Sequence, residues 1–103
     1  MASSKEYLDF ILEQLPFSED ITYRRMMGEY VIYYHGKIIG GIYDDRFLIK
    51  PTKSAMALLP DAEYVLPYNG AKPMLLIEDP DNREFLAKLI RSMDADLPEP
   101  KKR

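Results

Sequence analysis

Residues 24 to 51 read RRMMGEYVIYYHGKIIGGIYDDRFLIKP. β-Branched and aromatic residues dominate the stretch, as they do in strands. His35-Gly36 and Asp44-Asp45 interrupt it twice, and Gly36 supplies the positive φ that a tight hairpin turn needs. The expectation is a run of antiparallel strands over roughly 29–34, 37–43 and 46–50. Two-residue turns pair Tyr34 with Lys37 and Tyr43 with Arg46. Alternation then places Val31, Tyr33, Ile38, Gly40, Ile42, Phe47 and Ile49 on the face that helices cover. It leaves Tyr30, Ile32, Tyr34, Lys37, Ile39, Gly41, Tyr43, Arg46, Leu48 and Lys50 on the opposite face. A register slip of one residue exchanges the two sets.

On the N-terminal side, Thr22 to Met27 reads as a further extended segment, with Gly28 at a bend or bulge. Before it, Ser3-Ser4-Lys5-Glu6 has capping-box spacing. Tyr7, Leu8, Ile11, Leu12 and Leu15 recur at helical intervals, and Pro16 ends the helix because proline has no amide to donate. On the C-terminal side, Thr52 caps a short helix that stops at Pro60. A strand at 63–66, the turn-rich PYNGAKP and the short strand MLLIE follow. Asp79-Pro80 opens the last helix, whose buried stripe is Phe85, Leu86, Leu89, Ile90 and Met93. Residues 1–96 form one domain, and 97–103, LPEPKKR, form a flexible tail with too little apolar surface to order it.

The whole is an α+β, two-layer fold with an antiparallel sheet and helices on one face. A chain of 103 residues, 47% of them apolar, holds a single core. Without cysteine there is no disulfide framework, no thiolate nucleophile and no cysteine metal site. The charged start and the lack of a long apolar run exclude a signal peptide and a membrane span, so a reducing cytoplasm is the expected location. The balance of 14 basic against 17 acidic residues gives a net charge of −3, and the basic residues of the ending conceal a still more acidic body. Such a body repels polyphosphate.

Little chemistry is assembled. His35, the only histidine, sits in a turn without partners at metal-ligand spacing. The serines lack a nucleophile-elbow context, Asp44-Asp45 are turn formers, and Gly40-Gly41 lacks the spacing of a phosphate loop. No catalytic residue, cofactor or metal is expected. Arg24-Arg25 point to opposite faces of an extended segment and suit either ion pairs, for example with Glu29, or an anion site with Lys72, which would make the chain a small ligand-binding protein or enzyme. Aromatics ringed by Lys37, Arg46 and Lys50 have the composition of an interface. A single-stranded nucleic-acid platform shares that pattern, but the acidic body and the missing RNP1-type run disfavour it.

RRMMGEY, HGKIIGGIYDDRFLIKP and PYNGAKPM together resemble the TfoX/Sxy N-terminal domain family of bacterial proteins. The positions that carry the likeness are Arg24, Arg25, Met26, Gly28, Tyr30, Gly36, Lys37 and Lys50, with Gly70, Lys72 and Pro73 in the later segment. The chain departs from the family pattern at Met27, where phenylalanine is common, and at Glu29, where a second glycine is common. The resemblance implies helix, three strands, helix, two strands, helix, similar to secretion chaperones. It also implies a non-catalytic regulatory or adaptor domain of the competence-regulator type, here the first domain alone. Its partner would be a protein, either a second copy or a transcription regulator, bound through the tyrosine-rich face.

Overall fold

The computed structural model describes residues 3–15 and 19–97. Helix α1 (Lys5–Gln14) leads into β1 (Ile21–Met26), β2 (Glu29–Tyr34), β3 (Lys37–Ile42) and β4 (Phe47–Ile49). Then come α2 (Lys53–Leu58), β5 (Tyr64–Val65), β6 (Met74–Leu76) and α3 (Arg83–Asp96). The strands form one antiparallel sheet in the order β1-β2-β3-β4-β6-β5. The α+β class holds. The first run contains four strands because the Ile21–Met26 segment pairs fully with β2.

Three two-residue turns build the four-stranded meander. Met27 and Gly28 (φ 53° and 84°), His35 and Gly36 (54° and 77°), and Asp44 and Asp45 (54° and 55°) all occupy the left-handed region. Consecutive positive φ values match the twist of the flanking strands. Gly28 is thus a hairpin residue and not a bulge.

The bulge lies elsewhere. Tyr34 pairs with Lys37 and Tyr33 with Ile38, but Ile32 pairs with Gly40, leaving Ile39 as an extra residue in β3. One inserted residue reverses the side-chain parity of everything beyond it. Of the residues expected on the helix-free face, Tyr30, Ile32, Tyr34 and Ile39 therefore belong to the core, between 0% and 6% exposed. Val31, Tyr33 and Ile38, expected beneath the helices, take the opposite face. The assignments of Gly40, Ile42, Phe47 and Ile49 to the core side, and of Gly41, Tyr43, Arg46 and Leu48 to the other, agree with the pairing beyond the bulge.

Leu8 and Ile11 of α1, Ala55 of α2, and Leu86, Leu89, Ile90 and Met93 of α3 pack on this helix-side face with Phe47, Ile49, Leu75 and Ile77. Leu97 also joins the core at 9% exposure, so it belongs to the domain and not to the tail. The rest of the expected tail, 98–103, and the expected helix stop at Pro16 lie outside the described residues.

Of the three expected caps Thr52 holds, its Oγ1 accepting from Ala55 N–H at 3.1 Å, and the other two shift. Ser4, not Ser3, caps α1, its Oγ accepting from Tyr7 N–H at 3.1 Å. Asn82, not Asp79, caps α3, its side-chain oxygen accepting from Phe85 N–H at 3.2 Å. Asp79 instead closes the preceding turn, its carbonyl accepting from Asn82 N–H at 3.1 Å.

Ser3 is released from capping because Glu29 recruits it. The Glu29 carboxylate accepts from Ser3 N–H at 3.0 Å, from Ser3 Oγ, and from Asp44 N–H at 3.2 Å. Ser3 Oγ in turn accepts from Asp45 N–H at 3.0 Å. One carboxylate thus ties the N-terminal segment to the β3–β4 turn, a reason for a charged side chain at this position. Glu29→Ala is expected to cost about 1–3 kcal/mol, since it strands several donors of a half-buried cluster. Equilibrium urea unfolding measures it, and a loss under half a kcal/mol would show that water replaces the carboxylate.

Candidate interaction surface

The register lays out the helix-free face row by row. Thr22, Tyr33 and Ile38 form one row. Arg24, Val31, Gly41, Leu48 and Leu76 form the next. Tyr43 and Arg46 flank the third of the two-residue turns, with Arg46 Nε donating to Tyr43 O at 3.2 Å. Gly41 leaves room for the Tyr43 ring, because a Cβ there would stand 2.7 Å from a ring carbon. Tyr68, from the β5–β6 connection, meets Tyr43 with ring centroids 6.3 Å apart. Burial raises the Tyr43 phenol above its ordinary pKa, and the neighbouring Tyr68, Glu29 and Tyr33 add to the shift. Tyr43 and Tyr68 therefore form an aromatic pair on this face.

The surface is partly sealed and partly open. Leu48 is fully buried on it and Val31 nearly so. Ile38 and Tyr68 stay exposed, at 39% and 64%. Apolar side chains around a closed centre, with Arg24 and Arg46 among them, match the anatomy of a contact surface.

Of the cations expected on this face, Lys37 is elsewhere. It shares the helix side with its partner Tyr34, and its Nζ lies 3.1 Å from both the carbonyl and Oδ1 of Asp94. A cation there offsets the negative end of α3. Lys50, just beyond β4, is half-buried and its amide donates to Ile39 O at 2.9 Å.

The arginine pair is exposed on β1. Among the described residues neither Arg24 nor Arg25 has an ion-pair partner, so the expected bond to Glu29 does not form. Glu29 is occupied by Ser3 and Asp44. Nor do Arg24, Arg25 and Lys72 gather around one anion. Arg24 and Arg25 stand on β1 at one edge of the sheet, whereas Lys72 lies on the connection between β5 and β6 at the other edge. Gly70 (φ 89°) turns in that connection, with Lys72 and Pro73 exposed after it.

Two other sites remain. A cleft of about 380 Å³ opens between the end of α2, β6 and the start of α3, with an apolar floor including Leu59, Ile77 and Phe85 and a rim of Asp61, Glu78 and Asp79. That rim is acidic, the wrong sign for an anion. His35 stacks on Tyr34 at 4.0 Å, with Nε2 3.5 Å from Asp20 and Nδ1 3.6 Å from Asp94. It bridges the hairpin tip to the end of α3. Among the described residues no group of three or more His, Asp or Glu stands close enough to hold a metal ion, and no helix is long and apolar enough to cross a membrane.

Comparison with known proteins places these features in a family. The family model described as the TfoX N-terminal domain matches residues 13–90. An uncharacterized 12.7 kDa protein encoded in the trpE 5′ region of Spirochaeta aurantia is 33% identical over 104 residues, spanning all of this chain and 90% of that protein. No solved structure matches.

Proposed function

The chain belongs to the TfoX N-terminal domain family, a family of competence-regulator-like domains, and from that premise we propose that it is a non-catalytic regulatory or adaptor domain acting by protein–protein contact in the cytoplasm. The observation that supports this reading is the helix-free sheet face, where Tyr33, Ile38, Tyr43 and Tyr68 gather around a sealed centre. Contact surfaces are enriched in tyrosine and arginine in this way. Nucleic acid is a poorer occupant, because Lys37 is committed to Asp94 and the chain carries a net charge of −3. An anion-binding enzyme is poorer still, with its three expected cations divided between the sheet's two edges.

A pair of substitutions at exposed positions tests the surface without touching the core. Ile38→Asp with Tyr68→Asp is expected to leave circular dichroism and melting temperature nearly unchanged, since both side chains face water in the monomer. In a complex the new carboxylates would be desolvated without a matching cation, weakening association by about tenfold or more. Quantitative capture from native lysate, with the bound species identified by mass spectrometry, compares the two proteins. An identical set of captured proteins at equal yield would refute this face as the contact surface.

A further inference from the structure

The open edge of β1 has an arrangement that the face-binding reading does not use. Met26 and Glu29 flank a two-residue turn, so they form a hydrogen-bonded pair, and such pairs alternate along an antiparallel ladder. Tyr33 and Val31 are then bonded to Thr22 and Arg24. The other pairs, Ile21 with Tyr34, Tyr23 with Ile32 and Arg25 with Tyr30, are unbonded. Bonding of His35 N–H to Asp20 O at 3.1 Å, just outside the Ile21–Tyr34 pair, has the same phase. The amides and carbonyls of Ile21, Tyr23 and Arg25 consequently turn away from β2 toward the free edge. Among the described residues nothing pairs with them, because β1 is the terminal strand of the sheet.

Charge normally discourages pairing at such an edge. Here the charges are ordered. The segment reads Glu19-Asp20-Ile21-Thr22-Tyr23-Arg24-Arg25, two acids and two bases placed symmetrically about Thr22. Set antiparallel to itself about that residue, the strand brings Asp20, at the turn just before it, opposite Arg24 of a second copy, with Glu19 of the same turn on the Arg25 side. All four are exposed. Among the described residues the arginines have no ion-pair partner, and the side chains of the two acids make an ion pair only with His35, through one Asp20 oxygen. The same register sets Ile21 against Tyr23 of the second copy, and these are the residues whose backbone groups face outward. Geometry and charge therefore select one register.

We propose that two copies of this chain pair through β1, antiparallel about Thr22, to form a two-fold dimer with one continuous sheet. Each copy supplies the same strand, as a closed two-fold contact requires. Opposite charges directly across an antiparallel pair stabilise it, and like charges destabilise it. The occupant is a second copy and not an unrelated extended peptide because the segment supplies its own complement.

Charge exchange tests this. Wild-type protein in light scattering at concentrations up to the millimolar range is expected to approach twice the chain mass of 12.0 kDa. The variants Glu19→Arg/Asp20→Arg and Arg24→Glu/Arg25→Glu each place like charges opposite one another and should be monomeric alone. Mixed, they should form a heterodimer. A persistently monomeric wild type, dimeric single variants, or a mixture that stays monomeric would each overturn the proposal. Should a charge variant fail to fold by circular dichroism, Thr22→Cys decides. The chain has no other cysteine, and an unbonded antiparallel pair has a Cα spacing of about 4.5 Å, within disulfide reach. Mild oxidation should cross-link most of this variant but not an Ile38→Cys control. Equal cross-linking of the two would reject the Thr22 dyad. The outer-face substitutions spare this edge, so either reading can fail without the other.

Discussion

Gly40→Ala is expected to lose about 3 kcal/mol of folding stability or to prevent folding outright. A Cβ at this position would lie 2.7 Å from Ile49 Cα and collide with the Leu48 carbonyl, both backbone atoms of the adjacent strand. A flexible side chain could turn aside, but a strand can move only by giving up its pairing. Gly40 also follows the extra residue Ile39, so a shift of β3 here disturbs the register that sends Ile42 into the core. Overpacking of this kind costs roughly 1–3 kcal/mol and more where the backbone must yield. Urea unfolding followed by circular dichroism measures the loss. Stability within half a kcal/mol of wild type would mean that β3 and β4 stand further apart at this point.

Leu89→Ala should cost about 3 kcal/mol by a different mechanism. Leu89 is 1% exposed at the middle of α3, among Leu86, Ile90 and Met93 on the helix side of the sheet. Truncation removes transfer free energy and leaves a cavity that a rigid sheet cannot close, which is why such changes span about 2–5 kcal/mol. The denaturant midpoint should fall while the m-value stays constant. A loss below half a kcal/mol would place this helix face against water. The two substitutions probe the sheet and its covering layer separately, and neither touches the surfaces assigned to binding.

Local chemistry made much of the architecture legible. Capping spacing and apolar periodicity identified α1, the Thr52 cap identified α2, and the stripe through Leu89 identified α3. His35-Gly36 and Asp44-Asp45 marked two turns and set the pairs Tyr34 with Lys37 and Tyr43 with Arg46. Each of these depends on residues within a few positions of one another. Cap placement was less secure, because Ser3 and Ser4 are equivalent as acceptors until Glu29, distant in sequence, claims one of them.

Face assignment required the assembled sheet. In EYVIYY nearly every residue is apolar or aromatic, so alternation carries almost no information about which side is buried. The bulge at Ile39 then reversed the parity counted back from the turn, moving Tyr30, Ile32 and Tyr34 into the core. Gly40-Gly41 was the available signal, since glycines inside a strand often accompany a bulge or a close backbone approach. The helices alone resolve the ambiguity: α1 and α3 can cover one face only, and the face they bury becomes the core. The strand order likewise decides that Arg24 and Lys72 are far apart and that β1 has an open edge. The acid-acid, base-base order of residues 19–25 is written in the chain, but it acquires meaning only when β1 is the terminal strand, because an interior strand would have no free backbone groups to offer.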